Sequence, residues 1–233
     1  MAKKHGKETV VLVDGYDVTG QSSALDVTNA MDTQEVTAFG DQQKSYVVGA
    51  VDGKISQKGF LTDGTAEAHD VLRQRIGSAV VFLAHYGTVT GAYGWGGSAE
   101  LNTAYGVSGG AGAPVTFSAD YNFGLYGGQP IKMMRCHAEG AGTRGAGTAN
   151  ETPSNAGARA FLHILSISSG TPTVALQHGT ASTEAAFSNL ASFGAVAAAP
   201  YAAGTEVTGT VRQYLRAVVT GGTCTYALGY RRL

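Results

Sequence analysis

A mainly β chain with one flanking α-helix and a second, smaller C-terminal β unit is what the sequence predicts, on three observations. Short apolar runs and period-two alternations recur, punctuated by a chain that carries 34 Gly among its 233 residues. One segment alone, residues 65–77, shows helical periodicity. After Pro130 the texture changes to a Gly- and Ala-rich stretch before strand-like segments resume.

Taken in order, residues 10–13 (Val-Val-Leu-Val) form an apolar strand that runs into the turn pair Asp14-Gly15. An apolar strand at Val36 ends at a turn made by Phe39, Gly40 and Asp41. A second strand starts at Lys44 and includes Tyr46, Val47 and Val48. A third opens at Asp52-Gly53 and runs through Ile55 and Gln57 to Gly59-Phe60. Asp63, Gly64 and Thr65 offer N-cap groups, and Glu67 and Asp70 place negative charge where the helix dipole favours it. Ala68, Val71, Leu72 and Ile76 then make an apolar stripe, His69 faces solvent, and Gly77 stops the helix. Residues 79–85 have the length of a buried strand. Residues 98–107 and 114–123 pair across a Gly-rich link at 108–113, with Val115, Phe117, Ala119 and Tyr121 on one face. These elements make a first domain over 1–130. Residues 131–157 are a Gly-rich linker, its most featureless part at 138–157. Strands at 159–168, 173–177, 187–193, 207–219 and 226–231 make a β-sandwich over 158–233.

Charged residues are only 14% of the chain and 43% are hydrophobic, so few charges are available to cover a free surface. Two readings fit: a chain whose surface meets other subunits, or an ordinary secreted β-sandwich. The charge is uneven. Residues 1–130 carry eight Lys/Arg against thirteen Asp/Glu, and residues 131–233 carry eight against four. The first part lacks the basic face of a DNA-gripping domain. Cys136 and Cys224 read as two unrelated thiols, a single bridge being the alternative. The apolar stretch at 10–13 is too short for a secretory leader, and no window reaches the ~18 apolar residues of a membrane helix. Synthesis and folding in the cytoplasm is the expectation.

No catalytic constellation stands out, and the chain is read as no enzyme, with no cofactor and no metal site. Gly140, Gly142 and Gly145 match a dinucleotide fingerprint by letter, but no helix could open from the residues that follow. The six His residues show no metal-ligand spacing, and His85 and His163 lie in strands as satisfied side chains. The pairs Asp14/Asp17 and Glu67/Asp70 are accounted for by a turn and a helix start. Asn150-Glu151-Thr152 fits a glycosylation pattern that a cytosolic product would not meet. Tyr86, Tyr93 and Trp95 sit in a Gly-rich stretch that exposes rings. They are either an aromatic contact site or a plug over the sandwich edge.

Residues 8–128, through the 36–60 block, the helix at 65–77 and the segments 101–107 and 115–121, resemble the tail tube proteins of long-tailed (siphovirus-like) bacteriophages. The resemblance implies a tail-tube-type β-sandwich or barrel with one helix. It implies a virion protein whose homohexameric rings stack around a channel that conducts DNA without reading its sequence. Phe39, Gly40, Asp41, Tyr46, Asp52 and Phe60 would then belong to the ring-forming hairpin, with tape measure and tail terminator proteins as partners. A neutral or acidic lining suits DNA that must slide without sticking. Residues 158–233 resemble small β-sandwich modules appended to phage tail and capsid proteins, some of which bind cell-surface glycans. No aromatic–carboxylate cluster is visible for that role; Arg212, Tyr214 and Arg216 alternate to one face of a strand. The alternative reading is a capsid decoration or glycan-binding virion protein.

Overall fold

Asp14 and Gly15, both at positive φ (50° and 86°), set the first register of the chain. They join β1 (Thr9–Val13) to β2 (Tyr16–Asp17) as an antiparallel pair, in the two-residue turn that Asp-Gly adopts most readily. The computed structural model describes residues 6–39, 42–62, 64–87, 91–124, 129–139, 142–143 and 151–233. A Cβ on Gly15 would lie 2.5 Å from the Tyr201 amide nitrogen, so the turn packs directly on the C-terminal half.

β3 (Ser22–Glu35) and β4 (Tyr46–Phe60) form a long antiparallel hairpin. Two expectations are corrected here. Asp52-Gly53 does not open a new strand: it lies within β4, Gly53 opposite Asn29 and Asp52 opposite Ala30. Glycine is needed at 53 because a Cβ would fall 1.8 Å from the Phe123 ring. The sequence reading also had no strand at β3, whose Ser, Thr, Asn and Asp residues hide the period-two signal.

α1 (Ala68–Arg73) is shorter than predicted. Ala68, Val71 and Leu72 are buried, but Ile76 is half exposed, so the stripe ends one turn early. Glu67 is the N-cap residue and makes no side-chain cap; Asp70 Oδ2 accepts from the Ala66 amide at 3.3 Å instead. Asp63 lies outside the described residues. His69 does not face solvent, since its Nδ1 lies 2.7 Å from the Tyr105 hydroxyl. Asp14 ties the helix exit to the first turn, accepting from Arg75 Nε at 2.6 Å and from the Val81 amide at 2.9 Å.

β5 (Ala79–Tyr86), β6 (Tyr93–Ser108) and β7 (Thr116–Asn122) follow, the last two paired across the Gly-rich link as expected. β8 (Gln129–Glu139) occupies residues that the sequence placed in the linker. Its cause is tertiary: β8 pairs β6 on one side and the last strand on the other. β9 (Gly142–Thr143) and β10 (Ala158–Gly179) come next, then β11 (Phe187–Ala195), β12 (Tyr201–Val207) and β13 (Tyr214–Arg232). The predicted strands at 159–168 and 173–177 are one strand. β10 bends through irregularities near Gly170 (φ 66°) while staying paired with β13 from Ala158↔Arg232 to Gly179↔Tyr214. The predicted strand at 207–219 divides, β12 ending at Val207 and β13 starting at Tyr214. Arg212 therefore precedes β13, and Arg216 is buried, donating through Nε to Gln177 Oε1 at 2.7 Å and covering the Phe187 ring.

The protein is mainly β, with one α-helix among the described residues and a sheet that curls into a half-barrel. The main path runs β11-β10-β13-β8-β6-β5-β1-β2, with β7, β4 and β3 branching from the far end of β6. Long strands change partners along their length, so one hydrogen-bonded sheet serves three cores. The first packs Phe82, Phe117, Tyr121 and Ile55 against Ala68 and Leu72 of α1. Another packs Leu162, Leu176, Leu215, Tyr226 and Tyr230 in the C-terminal half. Between them Leu12, Leu83, Ile131, Met133, Phe161 and Ala227 form a junction core. Buried side chains of this size contribute roughly 1.5–3 kcal/mol each.

Candidate assembly surface

Among the described residues, exposed large apolar side chains cluster at two separate places, apart from the single residues Ile76 and Tyr93. At the far end of the β3–β4 hairpin are Val36, Phe39, Tyr46 and Val47. Phe39 is fully exposed (112%) and Tyr46 is exposed by 56%. The hairpin end is held by backbone and charge: the Val36 amide donates to the Ser45 carbonyl at 2.9 Å, and Lys44 pairs with Glu35 at 2.8 Å. Among the described residues β3 pairs only with β4, leaving one strand edge open. Such an edge is a template for pairing with another chain.

The second place is at the opposite end of β4. Phe60, Val107 and Val115 are each about half exposed. Beside them lies a cleft of about 470 Å³, lined among others by Lys58, Phe60, Val107 and Phe117. Tyr46 and Phe60 are the two ends of a fifteen-residue strand, which separates them by roughly 45 Å at about 3.3 Å per residue. The structure therefore does not gather the predicted hairpin residues into one patch: Phe39 and Tyr46 belong to the tip, and Phe60 to the root. Gly40 and Asp41 lie outside the described residues, and so does the Asp52 side chain. The sequence reading missed Val36, Val107 and Val115 as surface groups: the strand expected at Val36 is absent, β3 ending at Glu35, Val115 lies just before β7, and the exposed face of β6 at Val107 cannot be known until its partner sheet is.

The aromatic trio divides as well. Tyr86 ends β5 and Trp95 lies within β6, both half-buried, while Tyr93 opens β6 and is two-thirds exposed. Trp95 stands opposite Ala84 and Pro130, so it belongs to the sheet rather than to a loop. Burial raises the Tyr86 phenol above its usual range.

The two strand histidines are fully buried at the junction. His163 Nδ1 accepts from the Gly15 amide at 3.1 Å, and His85 donates through Nδ1 to the Gly87 carbonyl at 2.7 Å. Burial, and secondarily the neighbouring His85, lowers the His163 pKa to about 3. Burial lowers His85 too, against opposing effects from Gly87 and Asp17. The unfolded chain thus takes up these protons first. Stability is complete above the ordinary imidazole value, falls as pH drops below it, and levels off only below about 3. Urea titrations should give a lower midpoint at about pH 4.5 than at about pH 7.5, and His163→Leu should shrink that difference. An unchanged difference would mean that other groups carry the acid response.

Among the described residues no cluster of His, Cys, Asp and Glu could hold a metal ion, and no helix is long and apolar enough to cross a membrane. Cys224 is buried, and the side chain of Cys136 lies outside the described residues. Gly140 and Gly145 of the fingerprint-like run lie outside them too.

No family model and no curated protein matches the chain. Solved structures do. A chain of the virion of a native gene transfer agent particle is similar at TM-score 0.45 and 16% identity, over 55% of this chain and 99% of that one. A chain from the tail of an empty gene transfer agent particle, with C6 symmetry, is similar at TM-score 0.41 and 17% identity, over 52% and 95%. The SPP1 Dit protein, described as a paradigm of the hub adsorption apparatus in phages infecting Gram-positive bacteria, is similar at TM-score 0.36 and 12% identity, over 97% and 99%.

Proposed function

We propose that this chain is a structural virion protein, the subunit of a phage tail tube that assembles as stacked hexameric rings around a DNA channel. The observation that carries the reading is the pair of exposed apolar surfaces at opposite ends of β4. A head-to-tail ring needs two different complementary patches on each subunit, whereas a two-fold dimer needs one self-complementary patch. In this reading the hairpin tip with Phe39 and Tyr46 seats in the cleft beside Phe60 of the next subunit. The open edge of β3 pairs across the same contact. In this reading residues 1–130 build the tube wall, β8 carries the sheet on from it, and 158–233 decorate the outside. Tape measure and terminator proteins meet the stacked rings, and DNA passes without sequence-specific contact.

Negative-stain electron microscopy of the purified protein, with mass by light scattering, tests this. Stacked rings or tubes with a central hole are expected. A uniform monomer or a compact trimer would overturn the tube and favour a capsid decoration.

A further inference from the structure

Gly15, in the turn between β1 and β2, meets His163 of β10 across the junction of the two halves of the chain. The register puts His163 in step with Phe161 and Leu165 on the junction face of β10. Ala202 of β12 and Ala227 of β13 stand on either side of it. The Gly15 amide donates to His163 Nδ1 at 3.1 Å. In a two-residue hairpin turn the second turn residue's amide has no partner inside the hairpin, so this bond is what satisfies it. Asp14 meanwhile ties the turn to its own half, through Arg75 Nε and the Val81 amide. One neutral imidazole therefore fastens the turn to the other half.

That bond also fixes the tautomer. A ring nitrogen that accepts carries a lone pair, so the neutral His163 ring holds its proton on Nε2. This Nε2–H is buried and has no acceptor among the described residues. A second proton can go only to Nδ1, where it would face the Gly15 N–H, donor against donor. The imidazolium would then lack an acceptor at both nitrogens. The groups around it offer no remedy. Asp14 of the turn is committed to Arg75 and Val81. Asp17 of β2 accepts from the Thr19 amide at 3.0 Å and acts on His85, not on His163. His85 of β5 would add a like charge. β12 and β13 contribute the two alanines, and Cys136 of β8 stands one strand beyond Ala227. His85 differs from His163: a proton added at its Nε2 leaves its Nδ1 bond to the Gly87 carbonyl intact.

We infer that the Gly15–His163 contact is an acid-released latch, which lets the β1–β2 turn leave the C-terminal half while the cores on either side stay folded. Opening exposes the ring to water, where it takes a proton near the ordinary imidazole value. Closed, it resists the proton until about pH 3. Between those values the open form binds one proton more than the closed form, so its share rises as pH falls. Local openings of this kind cost less than global unfolding because few contacts are broken. The latch lies within one chain and does not depend on ring assembly.

The test is hydrogen exchange of the full-length protein from about pH 7 to about pH 4, read at single amides by mass spectrometry with electron-transfer fragmentation. Normalised to the unstructured rate, protection of the Gly15 amide should be level near pH 7 and fall about tenfold per pH unit below about pH 6. At each pH it should lie about tenfold or more below the protection of amides in β7 and β13. His163→Asn places an amide oxygen where Nδ1 stood and cannot gain a proton, so its Gly15 protection should stay level over the same range. In the parent, a fall of less than about threefold per pH unit below about pH 6 overturns the latch, whether or not the variant folds. Gly15 protected as strongly as β7 and β13 overturns it too, since the turn would then leave only with the whole chain. So does a folded His163→Asn chain that keeps the parent's pH dependence.

Discussion

Phe39→Asp is expected to yield a folded chain that no longer polymerises. Phe39 is fully exposed at the hairpin end, so its replacement removes no contact within the chain. Buried between subunits, the ring would contribute roughly 1.5–3 kcal/mol per contact. An aspartate in its place would bring an unpaired charge into an apolar cleft, at several kcal/mol more. A ring repeats that loss at every contact, which is enough to abolish assembly. Phe60→Asp should act likewise from the cleft side, with a small fold cost because Phe60 is half-buried. Mixing the two variants gives a sharper result. A Phe39→Asp chain keeps its cleft and a Phe60→Asp chain keeps its tip, so each mixed pair retains one intact contact. Light scattering should therefore show heterodimers in the mixture and monomers in each variant alone. If either variant still forms tubes, tip and cleft are not the ring contact.

Phe161→Ala should cause the largest loss of stability, about 3–5 kcal/mol. The ring is 1% exposed and lies in the junction core with Leu12, Leu83, Ile131 and Met133. It is also clamped: Cβ positions built on Gly204 and Gly96 fall 3.3 and 3.4 Å from its two Cδ atoms. Backbone on both sides leaves little room for collapse into the cavity, which places the cost toward the upper end of the range. Because β8 and the junction link the other two cores, the variant should also unfold less cooperatively. Trp95, the single tryptophan, stands on β6 opposite Ala84 and Pro130 and reports on this region. Urea unfolding followed by its fluorescence, and in parallel by far-ultraviolet circular dichroism, should give transitions that no longer coincide. A loss below about 1 kcal/mol would mean that the two outer cores stand independently.

Local chemistry was legible where a short stretch carries its own signal. Asp14-Gly15 reads as a turn because few other pairs take positive φ twice, and the structure has it there. Of the alternation read at Val115, Phe117, Ala119 and Tyr121, the last three repeat every second residue against one core, while Val115, just before β7, stays in solvent. Ala68, Val71 and Leu72 likewise read as the buried side of a helix. The extent of elements was not legible. β10 and β13 each run past the turn signals inside them because each has the other as a partner along its whole length. β8 is strand because two strands flank it, although its own residues look like the start of a linker. The same limit hid the row formed by Tyr93, Lys132 and Tyr230, which are far apart in the chain and which only the pairing of β6, β8 and β13 sets side by side.

By itself the amino-acid sequence determined the fold class, the Asp14-Gly15 turn and the buried positions at Ala68, Val71, Leu72, Phe117, Ala119 and Tyr121, since these depend on neighbours two to four residues away. The tertiary structure alone decided which apolar faces stay in solvent, where the two exposed surfaces lie relative to each other, and which charges meet across the sheet. Strand pairing is non-local, and a shift of one residue in register would turn every one of those side chains to the other face.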